Sequence, residues 1–180
     1  MAPDLPPLDP EARERLARVG LFALDVDGTL TDGKVVYVGR EERQAFCVHD
    51  GQGLAWLRKA GVKLAWITGR GGEPTQRRAQ ELGVEFLEVR CRDKAAALAG
   101  IQAELGIDAS QTLAMGDDLP DLALAADAGY FAAPANARAE VRVRADYVTA
   151  ASSGAGAVRE VCELCLRAKG VWDSIAGAGG

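Results

Sequence analysis

Leu21-Phe22-Ala23-Leu24-Asp25-Val26-Asp27-Gly28-Thr29-Leu30-Thr31 is the stretch on which the reading of this 180-residue chain turns. Four apolar residues in succession read as a short strand buried on both faces. The run ends on a carboxylate, and Gly28 lets the chain turn sharply just beyond it. Two further stretches repeat the design. Residues 62–67 run into Thr68-Gly69-Arg70, and residues 112–115 run into Gly116-Asp117-Asp118-Leu119-Pro120-Asp121. Weaker strand patterns lie at 85–89, 129–132 and 145–148. Helical patterns lie between them at 53–60, 73–82, 94–105, 121–126 and 157–168. A capping Asp9 followed by Pro10 starts a helix that runs to about Arg18.

Strands alternating with helices predict an α/β fold: a three-layer, Rossmann-like parallel sheet with helices on both faces. Such sheets bind ligands beyond the carboxyl ends of their strands. The three strongest strands deliver Asp25, Thr68 and Asp117 there. One segment breaks the alternation. Lys34-Val35-Val36-Tyr37-Val38 and Gln44-Ala45-Phe46-Cys47-Val48 flank Gly39-Arg40-Glu41-Glu42-Arg43, which predicts a small β-hairpin over 34–48 where a larger enzyme would insert a cap domain. The expected organisation is a leader and short helix over 1–19, one domain over 20–172, and a flexible Gly-rich tail over 173–180.

Hydrophobic residues make up 48% of the chain and charged residues 26%, the balance of a soluble globular protein. The formal net charge of −5 gives no broad positive field and argues against nucleic acid as a partner. No apolar run approaches the roughly 20 residues that cross a bilayer, so a cytoplasmic protein with no membrane partner is expected. The four cysteines, Cys47, Cys91, Cys162 and Cys165, do not demand a disulfide scaffold. Cys162-x-x-Cys165 falls on a predicted helix without a second pair, and reads as two small packing residues rather than a zinc site.

The polar strand ends carry the chemistry. A carboxylate such as Asp25 can attack phosphorus and form an aspartyl phosphate. It meets an anionic target, so a cation must offset the repulsion. Mg2+ suits a few carboxylate and carbonyl oxygens together with phosphate and water. Asp27, two residues on, shares a strand face with Asp25 and can protonate a leaving alkoxide, then deprotonate water. The Thr68 hydroxyl and the backbone beside Gly69 can donate to phosphate oxygens. Arg70 can grip an anionic group. Lys94, opening a helix after Asp93, can stabilise charge that develops on the phosphoryl group. Asp117 is the expected side-chain magnesium ligand, Asp118 a candidate for the inner or outer shell, and Asp121 a helix cap or a partner for Lys94. Taken singly, each motif reads equally as a solvated turn, a surface lysine or a capping cluster; their order and their strand-end positions argue otherwise.

Together the motifs resemble the haloacid dehalogenase-type phosphatases, and most closely the small 3-deoxy-D-manno-octulosonate 8-phosphate phosphatases. The similarity spans residues 21–172 and includes Asp50-Gly51-Gln52-Gly53, Ala145-Asp146-Tyr147-Val148-Thr149 and Gly156-Ala157-Val158-Arg159-Glu160. The resemblance implies Asp25 as nucleophile, Asp27 as general acid and base, and Mg2+ held by Asp25, the Asp27 carbonyl and Asp117. It implies that Thr68 and Lys94 bind the phosphoryl group. Arg70 and Arg78 match positions facing the sugar acid, and His49, Asp50 and Gly51 at the hairpin exit are assigned to the substrate with them. It also implies a homotetramer assembled through the hairpins. At the hairpin exit the family usually has Asn-x-Arg or Asn-x-Lys, and this chain has Cys47-Val48-His49. A nine-carbon sugar-acid phosphate or another small phosphate is therefore the alternative substrate. A non-catalytic receiver-like phospho-acceptor and an inactive tetrameric subunit are the competing classes.

Overall fold

The computed structural model describes residues 7–177. Six strands form one sheet: β1 (Leu21–Leu24), β4 (Lys63–Ile67), β5 (Phe86–Glu88), β6 (Thr112–Met115), β7 (Tyr130–Ala133) and β8 (Tyr147–Val148). Every pairing is parallel, in the order β5-β4-β1-β6-β7-β8. The helices are α1 (Pro10–Ala17), α2 (Val48–Lys59), α3 (Glu73–Leu82), α4 (Lys94–Leu105), α5 (Leu122–Ala126), α6 (Ala139–Arg142), α7 (Ala157–Ala168) and α8 (Trp172–Gly177). The hairpin is β2 (Val36–Val38) with β3 (Glu41–Arg43).

Alternation along β1 divides the core. Phe22 and Leu24 join one apolar cluster, which α1, α2 and α7 cover through Leu16, Leu54 and Val161. Leu21 and Ala23 join the other, covered by α4 and α5 through Leu98 and Leu124. All four β1 side chains are fully buried, each large one contributing about 1.5–3 kcal/mol. This is the expected three-layer architecture, with β1 central and its carboxyl end between those of β4 and β6.

Three segments depart from expectation. The return strand of the hairpin lies at Glu41–Arg43, earlier than the predicted 44–48, because Gly39 and Arg40 alone make the connection. Gly39 has φ +64, which lets the turn close in two residues. Residues 44–47 leave the hairpin, with Phe46 stacked on Trp66 at 6.3 Å between ring centroids. Helix α2 then starts at Val48, five residues before the predicted 53. The supposed flexible tail is helical through Gly177: Trp172 packs edge-on against Trp56 at 5.9 Å, and the Arg159 guanidinium lies 4.2 Å from the Trp56 ring and 5.7 Å from that of Trp172. Residues 178–180 lie outside the described part, as do residues 1–6 of the leader. Cys162 and Cys165 are buried, as packing residues are, and burial raises both thiols.

Candidate active site

The carboxyl ends of β1, β4 and β6 border a cavity of about 460 Å3. Asp25 leaves β1 with its N–H donated to the Met115 carbonyl at 3.0 Å, so the strand ladder holds its backbone. The next residue, Val26, is buried in the core. Asp25 and Asp27 therefore both face the cavity, as alternating side chains on an extended chain must. Beyond them Gly28 turns the chain at φ +98.

Lys94 is the first residue of α4, after Asp93, whose carboxylate caps the helix by accepting from the Ala96 N–H at 3.0 Å. The Lys94 ammonium lies 2.5 Å from Asp25 Oδ1 and 2.7 Å from Asp121 Oδ1. All three side chains are nearly fully buried. Burial alone pulls the lysine down, but the charges of Asp25 and Asp121 and their hydrogen bonds outweigh it and raise it. An unpaired charge at such a site costs about 3–5 kcal/mol, so the buried ammonium needs at least one of its two carboxylates.

Asp121 shares its two oxygens among three donors. Oδ1 takes Lys94, while Oδ2 accepts from the Asp117 N–H at 2.9 Å and the Asp118 N–H at 3.1 Å. Asp121 therefore both caps the turn and holds the lysine. Asp118 lines the cavity, and its Oδ1 accepts from the Leu119 N–H at 2.8 Å as the cap of a single 3-10 turn over Leu119–Asp121. Pro120 sits in the first turn of that helix, where it removes no hydrogen bond.

Asp25, Asp117 and Asp121 each offer a ligand atom within 4.8 Å of the others. Asp121 is the least suited of the three, because both its oxygens already serve protein donors. Asp117 Oδ1 accepts from the Thr29 hydroxyl at 3.1 Å. No hydrogen bond among the described residues reaches Oδ2 of Asp25 or of Asp117. Burial, then the charge of Asp121, pushes Asp25 up to about 8 and Asp117 up to about 6. Crowded, desolvated carboxylates with open oxygens fit a hard divalent cation of the Mg2+ type. Gly28 leaves room for the Asp117 carboxylate, since an added Cβ would lie 2.3 Å from its Oδ2.

The remaining predicted residues divide into two groups. Thr68, Gly69 and Arg70 line the cavity. The Thr68 hydroxyl donates to Asp27 Oδ2 at 3.2 Å and itself accepts from the Arg70 N–H at 3.1 Å. The Arg70 guanidinium lies 3.8 Å from Asp27 Oδ1 and 3.3 Å from Glu42 of the hairpin. Arg78, His49, Asp50 and Gly51 do not line this cavity. Arg78 pairs with Glu81 at 3.3 Å, and its guanidinium passes so close to Gly51 that a Cβ there would meet Nη2 at 2.2 Å. Asp50 is buried, and its Oδ1 accepts from the Arg159 N–H at 2.7 Å. It serves the start of α7, whose cap residue Gly156 offers no side chain. His49 is exposed on the first turn of α2.

Two residues at the site escaped the sequence reading. Arg92 is among the residues lining the cavity, as Arg70 is; an arginine next to Asp93 and Lys94 in a loop carries no distinguishing sequence signal. Gln44 donates from Nε2 to Asp27 Oδ1 at 2.6 Å, from a position the sequence assigned to a strand.

Comparison with known proteins identifies the family of the chain. The family model described as haloacid dehalogenase-like hydrolase matches residues 89–161. The 3-deoxy-D-manno-octulosonate 8-phosphate phosphatase of Yersinia pestis is 38% identical over 176 residues, covering 97% of this chain and 92% of its own length. The crystal structure of the Moraxella catarrhalis 3-deoxy-D-manno-octulosonate 8-phosphate phosphatase, in complex with magnesium, phosphate and KDO, has a TM-score of 0.92 at 41% identity, covering 94% of this chain and 98% of that one. The cobalt-bound deoxy-D-mannose-octulosonate 8-phosphate phosphatase of Haemophilus influenzae has a TM-score of 0.87 at 32% identity, covering 92% and 99%. The chain belongs to the haloacid dehalogenase-like hydrolases and, within them, to the 3-deoxy-D-manno-octulosonate 8-phosphate phosphatases, a family of phosphoric monoester hydrolases.

Proposed function

We propose that this protein hydrolyses 3-deoxy-D-manno-octulosonate 8-phosphate, with Asp25 as the nucleophile and Mg2+ as the cofactor. The observation that carries the proposal is the buried Asp25 carboxylate, fixed through Oδ1 by Lys94 and open through Oδ2, at the meeting point of three strand ends. Asp25, Asp117 and the Asp27 carbonyl would hold the Mg2+, whose charge offsets the repulsion between carboxylate and phosphate.

Asp25 attacks phosphorus, and the ester P–O bond breaks. Asp27 gives the departing alkoxide a proton. Water then attacks the aspartyl phosphate while Asp27 takes a proton from it, and the bond to Asp25 breaks to release phosphate. Thr68 and Lys94 supply donors to the phosphoryl oxygens. Arg70 and Arg92 supply cations that suit the carboxylate of a sugar acid. The family relationship and the phosphate and KDO bound in the Moraxella catarrhalis relative support this substrate.

A panel of phosphate monoesters assayed with Mg2+ tests the assignment. The eight-carbon sugar-acid phosphate should be turned over at least tenfold more efficiently than a nine-carbon sugar-acid phosphate or glucose 6-phosphate, a difference of about 1.4 kcal/mol. Equal or better turnover of either rival removes the substrate while leaving the phosphatase reading intact.

We also propose a homotetramer assembled through the hairpin. Val36, Tyr37 and Val38 are 52%, 65% and 46% exposed on a two-stranded ribbon, an apolar edge that is a liability for a lone chain. Native mass measurement should give four chains, and a single chain contradicts it. None of the helices among the described residues is long and apolar enough to cross a membrane.

A further inference from the structure

We propose that Gln44 is a positioning residue that decides which oxygen of Asp27 handles the proton. The inference rests on the reading of Asp27 as general acid and base. It makes the exit of the hairpin part of the catalytic apparatus.

Gln44 spans two partners. Its Nε2 donates to Asp27 Oδ1 at 2.6 Å, and its Oε1 accepts from the Thr75 hydroxyl at 2.8 Å. Thr75 is fully buried in α3. With that hydroxyl donating to one end, the amide has a single favourable orientation, since turning it over sets its oxygen against a carboxylate oxygen. The other Asp27 oxygen, Oδ2, receives the Thr68 hydroxyl at 3.2 Å. The two donors differ in where they sit. Thr68 lines the cavity, so its hydroxyl can transfer to a phosphoryl oxygen, whereas Gln44 does not line the cavity and keeps its bond when substrate enters. Oδ1 then stays tethered and Oδ2 is released toward the reacting atoms. Asp27 gives and takes its proton at Oδ2. A carboxylate free to rotate about its side-chain torsions spends less time in that pose, which slows proton transfer without weakening binding.

The test is steady-state kinetics of Gln44→Met, Thr75→Val, the double variant and Thr75→Ser, beside Asp27→Asn. Gln44→Met keeps the side-chain length and removes the donor. It should lower kcat on the sugar-acid phosphate about 10- to 100-fold with KM within about twofold. The loss should be several-fold smaller on p-nitrophenyl phosphate, whose phenolate leaves with little help from an acid. Thr75→Val should lower kcat less, add nothing to Gln44→Met, and be rescued by Thr75→Ser. Thermal unfolding of each variant checks folding. If Gln44→Met fails to fold, Gln44→Asn replaces it, because its amide is one methylene too short to reach both partners. An unchanged kcat, a raised KM with kcat intact, or equal losses on both substrates overturns the inference. If Asp27→Asn is itself fully active, the assignment of Asp27 falls. If Asp27→Asn is inactive and Gln44→Met is not impaired, only the role of Gln44 falls.

Discussion

Asp25→Asn should abolish Mg2+-dependent phosphate release, lowering kcat by at least about four orders of magnitude, or about 5.5 kcal/mol in the barrier. The protein should remain folded. An amide nitrogen is no nucleophile toward phosphorus, and the amide that replaces the carboxylate brings no charge to a cation. The surroundings tolerate the change. Lys94 keeps its bond to Asp121 at 2.7 Å, so the buried ammonium is not left without a counter-charge. Asp25 is also pushed up to about 8 by burial and by Asp121, so a neutral group at this position relieves repulsion. Phosphate release and a thermal unfolding curve on the same preparation check both halves. Activity within tenfold of the parent protein contradicts the role of Asp25.

Gly28→Ala should weaken Mg2+ binding about 10- to 100-fold, because the added Cβ would lie 2.3 Å from Asp117 Oδ2 and displace that carboxylate. The bond from the Thr29 hydroxyl to Asp117 Oδ1, 3.1 Å long, would be strained with it. The backbone adds its own cost of about 1–2 kcal/mol, since Gly28 sits at φ +98. Gly39→Ala separates the two effects. That glycine has φ +64 but nothing within 4 Å of a built Cβ, so it shares the strain and spares the site. Titration of activity with Mg2+ should move for Gly28→Ala and stay put for Gly39→Ala. Equal Mg2+ dependence in both variants removes Gly28 from the account of the metal site.

The parts of this fold legible in the sequence are those where one physical signal dominates. β1 and β6 are four-residue strands with every side chain buried, so apolar runs mark them, Leu21–Leu24 in the first and Leu113 to Met115 after Thr112 in the second. Helices α3, α4 and α7 have the predicted bounds, with Gly83 and Gly106 closing the first two in a left-handed conformation. Because the strand ends meet on one side of a parallel sheet, the order of the motifs alone brings Asp25, Thr68, Lys94 and Asp117 to one cavity.

What the sequence hid lies where tertiary contacts override local pattern. Glu41-Glu42-Arg43 does not look like a strand, yet a two-residue turn makes it one. Gln44 looks like the start of a strand, but its amide is drawn to Asp27 and Thr75. Asp50 sits in a motif suggestive of substrate contact, and its N–H donor lies 109 residues away on α7. Helix α8 depends on one tryptophan meeting Trp56, a contact no periodicity announces. In each case the deciding partner is distant in the chain, and a single sequence does not display it.

The central claim is that Asp25 carries the phosphoryl group during turnover. Asp27→Asn, mixed with p-nitrophenyl phosphate and Mg2+ and quenched in acid, offers the most direct look, because the phenolate leaves with little help from an acid while loss of the base slows hydrolysis of the intermediate. Peptide mapping by mass spectrometry should find one phosphoryl group, on the peptide containing Asp25. Phosphate appearing in solution at every quench time, with that peptide always unmodified, would contradict the account.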